Sequence, residues 1–267
     1  MNFSVTMLGT ASAVPFSDRN PSAQALSVHG RLYLLDCGEG TQQRLRQEHL
    51  SFVKIQAIFI SHIHGDHLFG LFGLLNTMSL FHRTAPLSIF GPSNLAPVLD
   101  FFLNTFGAQL GFELVFTPLT MEEPEEIFSD GDLHVSAFPL NHNTPCYGFL
   151  CTEEVGLRRN AWKPRTYAYC SDTAPFPELP NWIKGVDMLY HEATYPQELA
   201  HKAQQYFHST SLDAARCAAE AEAGTLIIGH YSSRIKDLSI FVNECRTIFA
   251  NTVAADDGDI FEIPMER

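Results

Sequence analysis

The sequence predicts a layered α/β (α+β) fold, and three observations support this prediction. Apolar runs of strand length, such as residues 5–9 and 57–60, alternate with stretches of helical spacing, such as residues 68–78. Histidines and carboxylates stand repeatedly where the apolar runs end. With 267 residues, of which 45% are hydrophobic, the chain can bury a substantial core. We expect one domain over residues 1–267, because no linker-like segment and no internal repeat divides the sequence.

The individual elements follow from hydrophobic spacing and turn residues. Residues 5–9, 24–28 and 32–36 are expected to be antiparallel strands, with His29 and Gly30 as a hairpin turn. Further strands are predicted at residues 57–60, 112–119, 133–139, 167–170 and 225–228. Helices are predicted at residues 68–81, 95–106 and 212–223. The first helix is apolar around most of its circumference, so we expect part of it to be buried in a homodimer.

Composition limits the class of protein. No apolar run approaches the ~20 residues that a membrane span requires, and the N-terminus lacks a basic segment ahead of an apolar one. We therefore expect a cytoplasmic protein without membrane contact. The six cysteines are scattered, which favours reduced, buried thiols over disulfides. A net charge of −13 attracts polyanions poorly, so local patches would have to hold nucleic acid.

A cluster of metal-ligand residues directly follows the apolar run 57–60. It reads His62-Ile63-His64-Gly65-Asp66-His67. Imidazole and carboxylate are ligands for Zn²⁺ and related metals. A strand that stops where the ligands begin can direct His62 and His64 one way and Asp66 and His67 another, which suggests two metals. Four residues cannot complete two zinc shells, and further candidates follow other predicted strands: His142, Asp172 and His230.

This cluster resembles the His-x-His-x-Asp-His signature of the metallo-β-lactamase superfamily. Other segments resemble, in order, the motifs of the ribonuclease Z family of tRNA 3′-processing endonucleases. They are Leu8-Gly9-Thr10, Pro15 through Arg19-Asn20, Leu35-Asp36-Cys37-Gly38-Glu39-Gly40-Thr41-Gln42, His191-Glu192-Ala193-Thr194, His208-Ser209-Thr210 and His230-Tyr231-Ser232-Ser233-Arg234. The resemblance covers nearly the whole chain and implies the metallo-β-lactamase fold, a four-layer αββα sandwich with metals at the strand ends.

The resemblance also implies a metal site and a substrate. Two Zn²⁺ ions are expected per chain, with Mn²⁺ as an alternative metal. The ligands would be His62, His64 and His142 for one ion and Asp66, His67 and His230 for the other, with Asp172 bridging both. Two such ions can lower the pKa of a shared water and stabilise the charge that grows on phosphorus. The expected reaction is hydrolysis of tRNA precursors 3′ of the discriminator base.

Proton transfers are assigned to three residues by the same resemblance. Asp66 would orient or deprotonate the attacking water, and His208 would donate a proton to the departing ribose 3′ oxygen. Glu192 would hold the His208 imidazole in the required tautomer. The alternative for His208 is a surface position, beside a helix cap made by one of the hydroxyl residues that follow it.

Three groups of residues are candidates for binding the substrate. Ser232, Ser233 and Arg234 offer two hydroxyls and a guanidinium beside His230, which suits a phosphodiester. The resemblance adds Arg19 and Asn20, in the loop that senses the CCA end of tRNA. A basic cluster around Trp162 is predicted to contact RNA, with a solvated hairpin as the alternative. Its members are Arg158, Arg159, Lys163 and Arg165.

Two departures from the family pattern bear on the substrate. The protruding arm with which many relatives grip tRNA is absent or reduced between residues 143 and 171, and Ser17 stands where the family commonly has lysine. One alternative function is therefore hydrolysis of a small or cyclic phosphodiester or another ester. The other is a non-catalytic RNA-binding module, against which the complete ligand set argues.

Overall fold

The computed structural model describes residues 2–16, 19–106, 110–154 and 163–265. The chain divides into two compact units. The first unit consists of residues 1–120 and 256–260, and the second of residues 121–255 and 261–267. Each unit has its own sheet and its own helices. That the whole chain works as one domain stays a prediction.

Strands and helices alternate along the described residues. The strands are β1 Phe3–Gly9, β2 Ala23–Val28, β3 Arg31–Leu35, β4 Ile55–Phe59, β5 Leu87–Pro92, β6 Leu114–Leu119, β7 Glu125–Asp130, β8 Leu133–Pro139, β9 Tyr147–Glu153, β10 Arg165–Cys170, β11 Met188–Glu192, β12 Thr225–Gly229, β13 Thr252–Ala254 and β14 Ile260–Glu262. The helices are α1 Thr41–Gln47, α2 Gly65–Leu68, α3 Gly70–Leu80, α4 Ala96–Thr105, α5 Leu179–Trp182, α6 Ala200–Tyr206, α7 Ser211–Glu220 and α8 Ser239–Arg246. Every element predicted from the sequence is present, with ends shifted by a few residues.

The first sheet has the strand order β14-β1-β2-β3-β4-β5-β6. The predicted antiparallel pairing of β1, β2 and β3 is confirmed. The turn residues His29 and Gly30 both have positive φ, as a tight two-residue hairpin turn requires. From β3 to β6 neighbouring strands run parallel.

Helix α3 buries one apolar face and leaves other apolar residues exposed. The buried face consists of Leu71, Leu74, Leu75 and Met78, at the spacing of an amphipathic helix. By contrast, Phe69, Leu80 and Phe81 at the ends of the helix are 65%, 77% and 57% exposed. The helix therefore carries more apolar surface than the core of the first unit covers, and the expected homodimer stays a prediction.

The second sheet has the strand order β13-β12-β11-β10-β9-β8-β7. Strands β10 to β13 run parallel to one another, whereas β7 to β10 alternate in direction. The edge strand β7 comes from an acidic stretch that includes the exposed Glu125 and Glu126. Charged side chains on an edge strand hinder pairing with another chain, which gives this acidic stretch a structural role.

Parallel pairing gathers polar residues at one edge of each sheet. In the second unit Asp172, Glu192 and His230 stand at or just after the ends of β10, β11 and β12. In the first unit Asp36 and His62 follow the parallel strands β3 and β4 in the same way. Because the carboxyl ends of parallel strands meet at one edge, each sheet collects its own set of candidate ligands there.

The cysteines are buried free thiols, as predicted. Burial raises the pKa of Cys37 and of Cys151 to about 12, so that both thiols stay protonated near neutral pH. Among the helices of the described ranges, none combines the length and the apolar character that crossing a membrane requires.

Candidate metal centre and active site

The first unit brings His62 and His64 together after the end of β4. His62 is fully buried, and its Nε2 lies 3.0 Å from Nδ1 of His64. The backbone of His64 is extended, with φ −63° and ψ 147°. The two ring nitrogens are therefore close enough for both to bind one cation.

The buried carboxylate of Asp36 orients two of the histidines. It accepts hydrogen bonds from Nδ1 of His67 at 2.7 Å, from Oγ of Ser61 at 2.8 Å and from the backbone N–H of Ser61 at 2.7 Å. Because the Ser61 hydroxyl donates to Asp36, it accepts from Nδ1 of His62 at 3.0 Å. His62 and His67 are therefore protonated on Nδ1, which leaves the Nε2 lone pair of each ring for a metal.

Asp66 and His67 lie in the short helix α2. Oδ2 of Asp66 is 3.5 Å from Nε2 of His67. The same oxygen accepts the backbone N–H of Ala13 at 2.7 Å, and Ala13 has a positive φ of 55°. A backbone donor on the loop after β1 thus holds the Asp66 carboxylate beside His67.

The second unit assembles a group around Asp172. Nε2 of His230 lies 3.2 Å from Oδ1 of Asp172, and Nε2 of His142 lies 3.9 Å from Oδ2. Nδ1 of His142 donates to the carbonyl oxygen of Phe207 at 3.0 Å, so its Nε2 carries the lone pair. Asp172, His208 and His230 each place one ligand atom within 4.8 Å of the others. Imidazole and carboxylate atoms at this spacing suit a divalent cation.

Glu192 is a buried carboxylate that orients His230 and His208 together. Its Oε2 accepts the Thr194 hydroxyl at 2.7 Å, so that hydroxyl in turn accepts from Nδ1 of His230 at 2.8 Å. Its Oε1 accepts Nδ1 of His208 at 3.0 Å and the backbone N–H groups of Thr173 and Ser209. Burial by itself raises the pKa of the Glu192 carboxyl, but the charge and hydrogen bond of His208, together with the charge of His230, make the pKa lower than usual.

His208 is placed inside this group, with a side chain that is 14% exposed. Its Nδ1 donates to the Glu192 carboxylate, which fixes the orientation of the ring. The helix cap expected after it is also present: Thr210 and Asp213 form a capping box at the start of α7. The segment before α7 therefore both places His208 beside Glu192 and caps the helix.

The loop after His230 carries the predicted phosphate-binding residues. Ser232 is buried and donates its backbone N–H to the carbonyl oxygen of Thr194 at 3.2 Å, and Ser233 is half-buried. Arg234 is exposed and makes no hydrogen bond or ion pair with the part of the chain that the structure describes. Its guanidinium is therefore available to an anion.

Arg19 and Asn20 are anchored within the first unit. Nη1 of Arg19 donates to Oγ1 of Thr10 at 2.6 Å, and Nη2 forms an ion pair with Asp256. The backbone N–H of Asn20 donates to Oδ2 of Asp257 at 2.7 Å. With only 15% of its side chain exposed, Arg19 chiefly fastens its loop, and RNA contact at these residues stays a prediction.

The basic cluster around Trp162 is only partly described. Arg158 and Arg159 lie outside the described residues, and Lys163 is 55% exposed and paired with Asp187 at 3.1 Å. Arg165 is buried, and its guanidinium binds both carboxylate oxygens of Glu153, at 2.6 and 2.7 Å. The prediction that Arg165 binds RNA is wrong, because a buried ion pair occupies its charged group.

Sequence reasoning gave no role to Asp36, Ser61 or Thr194. Each of them makes a hydrogen bond with Nδ1 of a histidine, the ring nitrogen that does not face the proposed metal. A signal was present for Asp36, a lone carboxylate at the end of an apolar strand. Ser61 and Thr194 are hydroxyl residues beside a histidine or a carboxylate, a pattern too common to be assigned a role from sequence.

Comparisons with known proteins agree with this geometry. Residues 31–231 match the model of the beta-lactamase superfamily domain. The chain is 35% identical to ribonuclease Z of Bacteroides fragilis, over 96% of this chain and 97% of that protein. It is 36% identical to ribonuclease Z of Bacteroides thetaiotaomicron, over 96% and 94% of the two chains. The crystal structure of the short form of human tRNase Z matches with a TM-score of 0.84 and 31% identity, over 98% and 99% of the two chains.

The comparisons confirm the predicted fold class and give the chain its family. The two mixed sheets with their helices belong to the metallo-β-lactamase fold, and the candidate histidine and aspartate ligands of the chain suit a divalent metal. The identity to the two Bacteroides proteins extends over almost the whole chain. On these grounds the chain belongs to the ribonuclease Z family of the metallo-β-lactamase superfamily.

Proposed function

We propose that this protein is a metal-dependent endoribonuclease that cleaves tRNA precursors at the 3′ end of the tRNA body. Membership of the ribonuclease Z family supports the proposal. The observation that carries it is a relay repeated in both units. Asp36 acts on His62 through the Ser61 hydroxyl, and Glu192 acts on His230 through Thr194. Relays of this kind hold neutral histidines ready to bind a metal.

Two Zn²⁺ ions per chain are the proposed cofactors, with Mn²⁺ as the alternative. The proposed ligands are His62, His64 and His142 for one ion, Asp66, His67 and His230 for the other, and Asp172 for both. The donor chemistry supports the assignment, because imidazole and carboxylate suit these metals. When bound, such a pair of ions lowers the pKa of a water molecule and stabilises negative charge on the phosphate.

Proton transfer is assigned to the chain's own residues. Asp66, held by the Ala13 backbone, would orient the attacking water and take its proton. His208 would give the proton on Nε2 to the ribose 3′ oxygen as the bond from that oxygen to phosphorus breaks. Glu192 would stabilise the charged imidazole that must exist before this transfer, because the carboxylate accepts from its Nδ1. The tRNA body would leave with a 3′ hydroxyl, and the trailer would keep the phosphate.

We assign substrate binding to the loop after His230, where Ser232, Ser233 and the exposed Arg234 can bind phosphate oxygens. With the arm between residues 143 and 171 reduced, Arg158, Arg159 and Lys163 stay as further candidates. The alignment with the Bacteroides fragilis protein spans 296 positions, so that relative carries residues that this chain lacks. We also propose a cytoplasmic homodimer that uses the exposed end of α3.

Mapping the cleavage position on a tRNA precursor tests the function. The metal-loaded protein should cut after the discriminator base, and His208→Ala should lower the rate about 10²- to 10⁴-fold, the usual contribution of a general acid. His134→Ala is the matched control, because His134 belongs to β8 and pairs with Glu126. Hydrolysis of a small diester without cleavage of the precursor would instead favour the small-phosphodiester alternative.

A further inference from the structure

Two exposed aromatic residues stand directly before His208 in the second unit. Tyr206, the last residue of α6, is 46% exposed, and Phe207 is 41% exposed. The metal site and the proton transfers described above use neither ring. Exposed aromatic rings are common stacking partners for unpaired nucleobases.

The backbone of Phe207 has a clear purpose, but its ring does not. Phe207 has φ 58° and ψ 48°, the left-handed conformation that glycine usually supplies after a helix. This conformation directs its carbonyl oxygen to Nδ1 of His142, at 3.0 Å. Glycine would hold the same carbonyl without the steric cost of a Cβ atom. The fold therefore explains the carbonyl group and leaves the exposed ring unexplained.

The surroundings of the aromatic pair suit RNA. The ring of Tyr195 lies 6.2 Å from that of His208, in an edge-on arrangement. The ring of His230 lies 5.5 Å from that of His208, and the exposed Arg234 follows His230 in the same loop. The two exposed rings thus directly precede the proposed proton donor, and an exposed guanidinium stands on the loop that begins at its neighbour His230. Single-stranded RNA sites combine aromatic rings with positive charge in this way.

We propose that Tyr206 and Phe207 form a stacking platform for the base of the nucleotide whose 3′ oxygen leaves, the discriminator nucleotide of a tRNA precursor. This inference rests on the proposed function, because His208 protonates that oxygen. The base on the same ribose is the unpaired base closest to the residues beside His208. The platform accepts any base at this position, because every base offers a π face, and it discriminates against a nucleotide without a base.

Four variants of the metal-loaded full chain test the platform. Tyr206→Ala and Phe207→Gly each remove one ring, and glycine keeps the left-handed backbone of residue 207. Both should raise KM for the precursor by at least about fivefold, with little change in kcat. Tyr206→Phe keeps a ring and should restore the parent KM, and Ile248→Ala, at an exposed residue of the same unit, is the matched control. A parent-like KM in both ring-removing variants would overturn the proposal.

Abasic substrates locate the stacked base. The parent should have a higher KM for a precursor without the discriminator base than for the complete precursor. On that abasic substrate, Tyr206→Ala should have the same KM as the parent. On a precursor without the first trailer base, Tyr206→Ala should raise KM relative to the parent as much as it does on the complete precursor. The opposite pattern would move the contact to the trailer and refute the proposal.

Binding of a short fluorescent RNA with the precursor's 3′ sequence separates the platform from the tRNA function. If the parent binds this RNA more tightly than Tyr206→Ala but cuts no precursor, the platform stands and the tRNA function fails. If the parent cuts the precursor and both proteins bind the RNA equally, the platform fails alone. If the parent neither cuts nor binds, both proposals fail.

Discussion

Replacing Asp36 by asparagine should weaken metal binding while it leaves the shape of the site intact. The carboxylate is fully buried and accepts from Nδ1 of His67 and from the hydroxyl and backbone N–H of Ser61. Asparagine offers one acceptor oxygen and a donor amide in the same space. Oδ2 of Asp36 accepts from both His67 and the Ser61 hydroxyl, whereas Oδ1 accepts from the Ser61 backbone N–H. With the amide nitrogen in the Oδ2 position, His67 and the Ser61 hydroxyl both lose their acceptor, so that His67, and His62 through Ser61, are no longer held with their lone pairs towards a metal. With the amide nitrogen in the Oδ1 position, two donors meet at the Ser61 N–H and push Ser61 away from His62.

The magnitude follows from the contacts that are lost. Removing the hydrogen-bond partner of a metal-binding histidine commonly lowers metal affinity 10- to 100-fold, and we expect about this loss for Asp36→Asn. The metal-free protein should also be destabilised by about 1–3 kcal/mol, because a buried donor is left without an acceptor. The two effects can be measured separately.

Competition with a chromogenic chelator gives the Zn²⁺ affinity, and urea unfolding of the metal-free protein gives the stability. Asp257→Asn is the matched control, because Asp257 is a carboxylate of the same unit that accepts from Thr10 and Asn20. It should lower stability without lowering metal affinity. The reasoning is refuted if Asp36→Asn binds Zn²⁺ like the parent, or if the two variants lose affinity equally.

Three further predictions concern stability and assembly. Arg165→Met should lower the free energy of unfolding in urea by about 3–5 kcal/mol, because the buried Glu153 loses its partner. A double variant that also carries Glu153→Leu should recover most of this stability, and failure to do so would contradict the argument. Thr210→Ala should cost about 1 kcal/mol at neutral pH. Burial raises the pKa of Asp213, but the hydrogen bonds from Thr210 act in the opposite direction, and the pKa lies below its usual value. The stabilisation from the charged cap is therefore fully present above about pH 4, the pKa of the unfolded state, and is lost as the pH falls through the lower pKa of the folded state. If the parent and Thr210→Ala differ in stability by the same amount at about pH 7 and about pH 3, this argument is wrong. The parent should scatter light as a dimer and Leu80→Glu as a monomer, because Leu80 is 77% exposed on α3; a monomeric parent at micromolar concentration would rule the dimer out.

The sequence by itself determined the elements and the ligands that local pattern encodes. Short apolar runs and a turn predicted the first antiparallel strands, and the cluster from His62 to His67 predicted a metal site after a strand. Asp172 and His230 could be found because each follows a short apolar run. These features are local, since a strand, its end and the polar residue after it are neighbours in the chain. Strands β5, β7, β9, β11, β13 and β14 were not predicted, because short segments of mixed composition resemble loops or other buried segments.

Only the tertiary structure decided how the side chains are paired. Asp36 binds Ser61 and His67, which lie 25 and 31 positions away in the chain. Arg165, predicted from sequence to contact RNA, is bound to Glu153 and to the carbonyl oxygen of Ile263. Strand register and burial select these partners, and a basic residue in a polar stretch has the same local pattern whether it faces water or the interior. The physical reason is that a hydrogen bond depends on positions in space, whereas hydrophobic periodicity reports only which face of one element is buried.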